Sequence, residues 1–339
     1  MNRIRIGVVG LGFGRHHVRT LANMEEADLV AMADLNPDIM GGLEAYAAGY
    51  GAKAYLDGVE MIENEALDAV TLCTPPSTRA QLIEAAASRG VALFVEKPWA
   101  TNVAHGRELA ALCERHRATV MTAFSFRFHP AIVKLKELVE GELGAPWMLN
   151  GEYVFSWRPD PTGWLWDPAN GGGFFNENSC HLFDAICHLL GDPISVAAEA
   201  IAPMDTPSEH AAALSVRFAG GPIAAITVGG IAAGGFHTYP RIDLITANGQ
   251  AHLAGHDHIW EQLTWTTRDS AEVHTLSASP EALGNTRYTD AFQHFFACLR
   301  IGQTPTSTPA DGIRAVALAM ALYESARTGR RVDVQHGKE

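Results

Sequence analysis

The chain has 339 residues, enough for two domains, and 47% of them are hydrophobic against 19% charged, the balance of a globular protein. A formal net charge of -13, with no block of Lys and Arg, excludes a nucleic-acid partner, which needs a concentrated basic face. No leader-like or membrane-spanning apolar run occurs, and Cys73, Cys113, Cys180, Cys187 and Cys298 are scattered without a Cys-x-x-Cys pair, so a cytoplasmic protein with reduced thiols and no membrane partner is expected. In chain order, Ile4–Val9 reads as a strand, followed by a glycine-rich turn and a helical pattern around 17–24. A second apolar run, 29–33, ends at Asp34, and 37–50 looks helical. A third strand, 69–73, stops at Thr74-Pro75-Pro76, and a helix over 79–89 stops at Gly90. Ala92–Val95 is a strand, 103–117 a helix and 119–123 a strand. Strands alternating with helices of this length imply a parallel sheet, and strands apolar throughout imply that both faces are covered. After Phe124 the pattern changes. A helix over Pro130–Glu140 precedes strands at 147–155, 194–202, Ala211–Phe218, Ile223–Gly229, Arg241–Thr246 and 250–254. Helices are expected at 179–190 and Pro309–Thr328, and hairpin turns at Gly220-Gly221 and Asn248-Gly249.

The first turn reads Gly10-Leu11-Gly12-Phe13-Gly14-Arg15. One glycine permits a tight turn after the strand, the next lets backbone approach a pyrophosphate, and the helix that follows offers free N–H groups to that anion. Gly10, Gly12, Phe13 and Gly14 are therefore candidate cofactor contacts. The usual third small residue falls on Arg15, with Gly14 one place early, so a tilted helix or an outward Arg15 is expected. Asp34, ending the next strand, suits ribose hydroxyls and repels a 2′-phosphate, which favours NAD over NADP. Thr74 and Pro75 end the third strand, at the edge where ligands bind in open α/β sheets. The expected fold is an α/β Rossmann domain over 1–124 plus an α+β domain with a large, mainly antiparallel open sheet over 125–339. The last helix could pack back on the first domain.

Gly10-Leu11-Gly12, Thr74-Pro75-Pro76, Glu96-Lys97-Pro98, Arg127-Phe128-His129-Pro130 and the segment GGGFFNENSCHLFD (171–184) occur in this order. The chain thereby resembles the Gfo/Idh/MocA oxidoreductases over essentially its whole length. The resemblance implies that Glu96 and Lys97 lie near the nicotinamide, Lys97 also near the substrate, with the Lys97–Pro98 peptide cis. It places the family's histidine on His181 and its acid on Glu177. Glu for Asp, Ser179 for Gly and Arg79 where histidine is usual are departures from the family pattern. It also implies a homodimer or homotetramer built on the open sheet.

Glu177 and His181 are four residues apart and are expected to share one helix face. A secondary alcohol giving up hydride must also lose its hydroxyl proton, a task for a histidine with its ordinary near-neutral pKa. The Lys97 ammonium would stabilise the developing alkoxide, and Glu177 would orient substrate or one of the other two groups. Arg127, Trp157, Arg158 and Asn178 are candidate substrate contacts. The Trp157–Trp164–Trp166 stretch reads equally as a sugar-stacking surface or a buried oligomer edge. His181, Asp184 and His188, and the trio His252, His256 and His258, lack structural-zinc spacing, so no metal is expected. The expected function is an NAD(P)-dependent dehydrogenase or reductase acting on a CH–OH group of a sugar, inositol or related polyol. The alternatives are an NAD-dependent glycosidase working by transient sugar oxidation and a non-catalytic NAD-binding protein.

Overall fold

A computed structural model describes residues 2–157, 159–234, 240–256, 259–277 and 286–336. The chain divides into two compact units, one of residues 1–100, 104–124 and 288–312, the other of 101–103, 125–287 and 313–339.

The first unit is built on a six-stranded parallel sheet, ordered β3-β2-β1-β4-β5-β6. Its strands are β1 (Ile4–Val9), β2 (Ala27–Ala33), β3 (Lys53–Tyr55), β4 (Ala69–Leu72), β5 (Ala92–Val95) and β6 (Val120–Thr122). β4 and β5 are buried at every position, as apolar strands covered on both faces must be. Helix α1 (Leu11–Ala22) buries Leu11, Gly14, Val18 and Leu21, a single stripe at three- and four-residue spacing. Helices α2 (Leu43–Ala48), α3 (Gly58–Asn64), α4 (Arg79–Ser88) and α5 (Val103–Arg115) complete the crossovers. The region expected as one helix over 37–50 is a 3-10 turn, Ile39–Gly41, followed by α2, because Gly41 and Gly42 take positive φ between them. β3 and α3 are additional to the elements read from sequence. So is the helix Thr286–Ile301, which returns to this unit and stacks Phe292 on Phe94 at 4.3 Å between ring centres.

The second unit carries a nine-stranded sheet, β14-β13-β12-β11-β7-β10-β9-β8-β15, antiparallel except for the β7–β10 pair. Here β7 is Pro146–Val154, β8 Pro193–Ile201, β9 Ala211–Phe218, β10 Ile223–Gly229 and β11 Arg241–Thr246. β12 is Gly249–His256, β13 Ile259–Thr267, β14 His274–Ser277 and β15 Val332–Asp333. From Ala212 to Phe218 on β9 and from Ile223 to Val228 on β10 burial alternates residue by residue. The inward face packs on α6 (Pro130–Glu140), α7 (Phe174–Glu177), α8 (Cys180–Leu190) and the chain's final helix (Pro309–Thr328), with Leu135, Leu182, Ile186, Leu318 and Leu322 in one core with Leu149, Val216 and Ile226. Each such side chain contributes roughly 1.5–3 kcal/mol by leaving water. The outward face carries Asn150, Glu152, Thr227, Arg241 and Asp243, joined in part by ion pairs from Arg241 to Glu152 at 3.5 Å and to Asp243 at 3.3 Å.

Candidate functional site

In the first unit the chain leaves β1 through Gly10 at φ 86°, a region closed to most side chains. The Gly10 N–H donates to the Ala33 carbonyl at 2.8 Å, and the Leu11 N–H donates to Asp34 Oδ2 at 2.7 Å. Asp34 Oδ1 accepts the Asn36 N–H at 2.9 Å. The glycine turn and the carboxylate that ends β2 are therefore one hydrogen-bonded assembly. A Cβ on Gly10 would lie 3.0 Å from the Cys73 carbonyl, whereas one on Gly12 would meet nothing within 4 Å. The turn is closed on the protein side and open where a pyrophosphate approaches, so these residues fit a dinucleotide. Gly14 corrects the expectation for the third small residue. Helix α1 starts at Leu11, so position 14 faces inward, and a Cβ there would stand 3.0 Å from Val8 Cγ1 and 3.3 Å from Cys73 Cβ. Gly14 thus supplies the close helix-to-strand approach, and Arg15, half-buried, stays off that contact. Phe13 is partly exposed, with Tyr288 at 6.2 Å.

After β5 come Glu96 and Lys97, and the Lys97–Pro98 peptide is cis. Glu96 is buried and both its oxygens are engaged. Oε1 meets His17 Nε2 at 2.9 Å, and Oε2 accepts the Lys97 N–H at 3.0 Å. His17, fully buried on α1, sets Nδ1 2.8 Å from Thr71 Oγ1 and 3.4 Å from Cys73 Sγ. Burial alone would lower the His17 pKa, but the Cys73 thiol and the Glu96 carboxylate reverse this and raise it well above the usual histidine value. Sequence reading assigned no role to His17. Its partner is 79 positions away, and no local pattern reports such a contact. A consequence can be measured. The folded chain keeps a proton that the unfolded chain releases above about pH 6.5, so this stabilisation is complete below that pH and is lost as pH rises through the raised folded value. Denaturant midpoints compared at about pH 6 and about pH 9 should show a steeper alkaline loss in wild type than in His17→Gln. Parallel slopes in the two proteins would contradict the assignment.

Arg79 opens α4 and is also buried. Its guanidinium donates to the Thr74 carbonyl from Nε at 3.1 Å and Nη2 at 2.7 Å, to the Trp99 carbonyl at 3.2 Å, and to the Pro98 carbonyl. The departure noted in the sequence is thus a link between the turns after β4 and β5. Thr74 is half-buried at the first of those turns, beside Gly10.

In the second unit Glu177 and His181 are not on one continuous helix. Glu177 ends the short α7 and His181 lies in the first turn of α8, with Asn178 and Ser179 between them in helix-like backbone angles. Glu177 is buried, and its Oε2 accepts from Asn178 Nδ2 at 2.5 Å. The His181 ring stacks on Phe126, with centroids 5.0 Å apart and planes 30° apart. Tyr153 and Trp260 meet Phe126 edge-on, and the Arg287 guanidinium lies 5.3 Å from its ring centre. Phe126 was not among the residues singled out from sequence, although it lies next to Arg127 in the motif that was. Arg127, offered there as a substrate contact, is committed elsewhere. Its Nε and Nη2 donate to Asp184 Oδ2 at 2.8 Å and Oδ1 at 2.6 Å, and both side chains are almost wholly buried. The pair ties the 3-10 turn Ser125–Phe128 to α8. Trp157 packs on Trp166 at 4.6 Å and on Phe174 at 5.3 Å; Trp166 is buried and Trp164 partly exposed. Arg158 and His258 lie outside the described residues. Among the described residues no group of three or more His, Cys, Asp or Glu side chains could hold a metal ion.

The profile of the oxidoreductase family with an NAD-binding Rossmann fold matches residues 4–124, and that of the GFO/IDH/MocA C-terminal domain matches residues 132–252. A D-apiose dehydrogenase of Paraburkholderia graminis is 27% identical, over 99% of this chain and 91% of its own. An inositol 2-dehydrogenase of Rhizobium meliloti is 28% identical, over 98% of this chain and 99% of its own. Among solved structures, an oxidoreductase from Agrobacterium radiobacter in complex with NAD+, L-tartaric acid and magnesium has the same fold. The TM-score is 0.84 at 21% identity, covering 98% of this chain and 99% of that one.

Proposed function

Since this chain belongs to the Gfo/Idh/MocA oxidoreductases, with their NAD-binding Rossmann fold, we propose that it is an NAD-dependent dehydrogenase of a sugar, an inositol or a related polyol. The observation that carries this is the glycine turn hydrogen-bonded to Asp34, closed behind Gly10 and open above Gly12. The polyhydroxylated substrates in the names of the full-length relatives support the substrate class. Bound nicotinamide supplies the hydride acceptor or, in reverse, the donor.

The protein's own groups handle the proton and the charge. Lys97, its backbone N–H held by Glu96, donates to the reacting oxygen and stabilises alkoxide character. His181, held flat against Phe126, takes the hydroxyl proton and returns it in the reductive direction. Glu177, oriented by Asn178, accepts from a neighbouring substrate hydroxyl, with Asn178 and Trp157 as further contacts. Asp34 accepts from the adenosine ribose and disfavours NADP. The open face of the large sheet is assigned to contact with another copy of the chain in a dimer or tetramer, which the exposed Met148, Ile201 and Ile223 support. The free cysteines support a cytoplasmic setting.

A panel of neutral sugars, inositols and sugar phosphates, each offered with NAD+ and NADP+ and followed by reduced-nucleotide absorbance, tests the reading. Steady NADH formation with a neutral polyol is expected, with NAD+ preferred by about tenfold or more, the ~1.4 kcal/mol that one close like-charge contact readily costs. Glycoside cleavage without net NADH, or no reduction of either nucleotide, would overturn it.

A further inference from the structure

A buried cation is costly unless something in its surroundings needs it. Arg79 is 1% exposed, and among the described residues no carboxylate touches its guanidinium and each of its hydrogen bonds goes to a main-chain carbonyl. Those carbonyls belong to two separate turns, Thr74 after β4 and Pro98 with Trp99 after β5. Burial lowers its pKa to about 10, against the nearby Glu96, so it stays charged at neutral pH. Filling this space would need only an apolar side chain. Capping three carbonyls on two turns at once needs a planar fork with several fixed donors.

Both turns carry candidate site residues: Thr74 and Pro75, at the strand edge where a cofactor is expected, on one, and Lys97, expected beside the nicotinamide, on the other. Lys97 lies between two anchors. Glu96 holds its N–H on one side, and Arg79 holds the carbonyl of the next residue on the other. Glu96 is itself fixed by His17. We propose that Arg79 is a positioning residue for Lys97, a clamp that locks the turn after β5 to the turn after β4 and so fixes where the amine stands. This rests on the reading that Lys97 acts on the substrate oxygen.

A mutant cycle crosses Arg79→Met and Arg79→Lys with Lys97→Ala, using the best substrate of the panel at saturating NAD+. Arg79→Met should lower kcat about 10- to 100-fold, the cost of a misplacement near 1 Å, and change the KM for NAD+ by less than about threefold. In the Lys97→Ala background the same substitution should cost nothing further, since the group it positions is gone. Arg79→Lys should recover part of kcat. Independently of turnover, hydrogen exchange of the backbone amides at 74–79 and 96–99 should rise about tenfold or more in Arg79→Met, with β1, β4 and β5 unchanged. If Arg79→Met does not fold, Arg79→Lys carries the cycle, because a point donor cannot cap both turns and its deficit should vanish in the Lys97→Ala background. Three results would overturn the proposal: near-wild-type turnover of Arg79→Met, an equal loss in both Lys97 backgrounds, or unchanged exchange at the two turns. Lys97→Ala at wild-type turnover would sink the underlying reading and the proposal with it. An inactive Lys97→Ala beside an unaffected Arg79→Met would sink the proposal alone.

Discussion

Lys97→Ala is expected to lower kcat by about 10²–10³ while leaving NAD+ affinity close to wild type. The magnitude is that of losing one preorganised donor to a developing oxyanion, roughly 2.7–4 kcal/mol of transition-state stabilisation. It should fall on kcat because the oxygen bears charge only as hydride leaves its carbon, so the ammonium binds the transition state better than the ground state. Cofactor affinity should survive because the glycine turn and Asp34 bond each other and make no use of the lysine amine. Lys97→Arg should not restore the rate, since a guanidinium is wider and presents its charge differently. Steady-state kcat and KM beside a direct NAD+ titration check this, and a variant within about twofold of wild type would contradict the assigned role.

The second large effect is on stability. Arg127→Met should destabilise the protein by about 3–5 kcal/mol, because it strands the Asp184 carboxylate, 1% exposed, without its cation. Little of this is the intrinsic worth of the ion pair. Most of it is the cost of a buried carboxylate that has lost its cation, so Arg127→Met combined with Asp184→Asn should recover a large share. Denaturant unfolding of the single and double variants measures this. A single variant that loses less than about 1 kcal/mol would show that the pair is not the tie between the 3-10 turn and α8 described above.

The elements legible from sequence were those whose pattern is local. β1, β5 and β9 to β11 announce themselves by apolar runs or strict alternation, and Gly220-Gly221 takes the two positive φ angles that a tight hairpin asks of it. The helix Thr286–Ile301 was missed because Thr, Tyr, Phe, His and Cys are weak helix formers. Its buried side makes sense only against Phe94, nearly two hundred residues earlier in the chain. The short β3 and α3 carry too few residues to show a period.

The candidate site divides in the same way. Gly10, Gly12 and Asp34 were readable because the strand–turn–helix context fixes their relation. Gly14 was displaced from its expected place because the start of α1 sets which face each position takes, and that start is a matter of one residue. The likeness of Glu177 and His181 to one helical pair concealed the break at Asn178 and Ser179. The positions of His17, Arg79 and Phe126 were visible, but their contacts are set by how separate strand ends and turns meet in the fold, so no spacing rule could supply their roles.

Calorimetric titration of NAD+ into the wild-type chain and into Gly10→Val tests whether the turn at Gly10 binds a dinucleotide. Valine at φ 86° is strained, and its Cβ would press on the Cys73 carbonyl. Saturable binding to the wild type and at least about tenfold weaker binding to a folded Gly10→Val are predicted. Equal affinity in the two proteins, or no binding to the wild type, would rule out the Gly10 turn as the dinucleotide site.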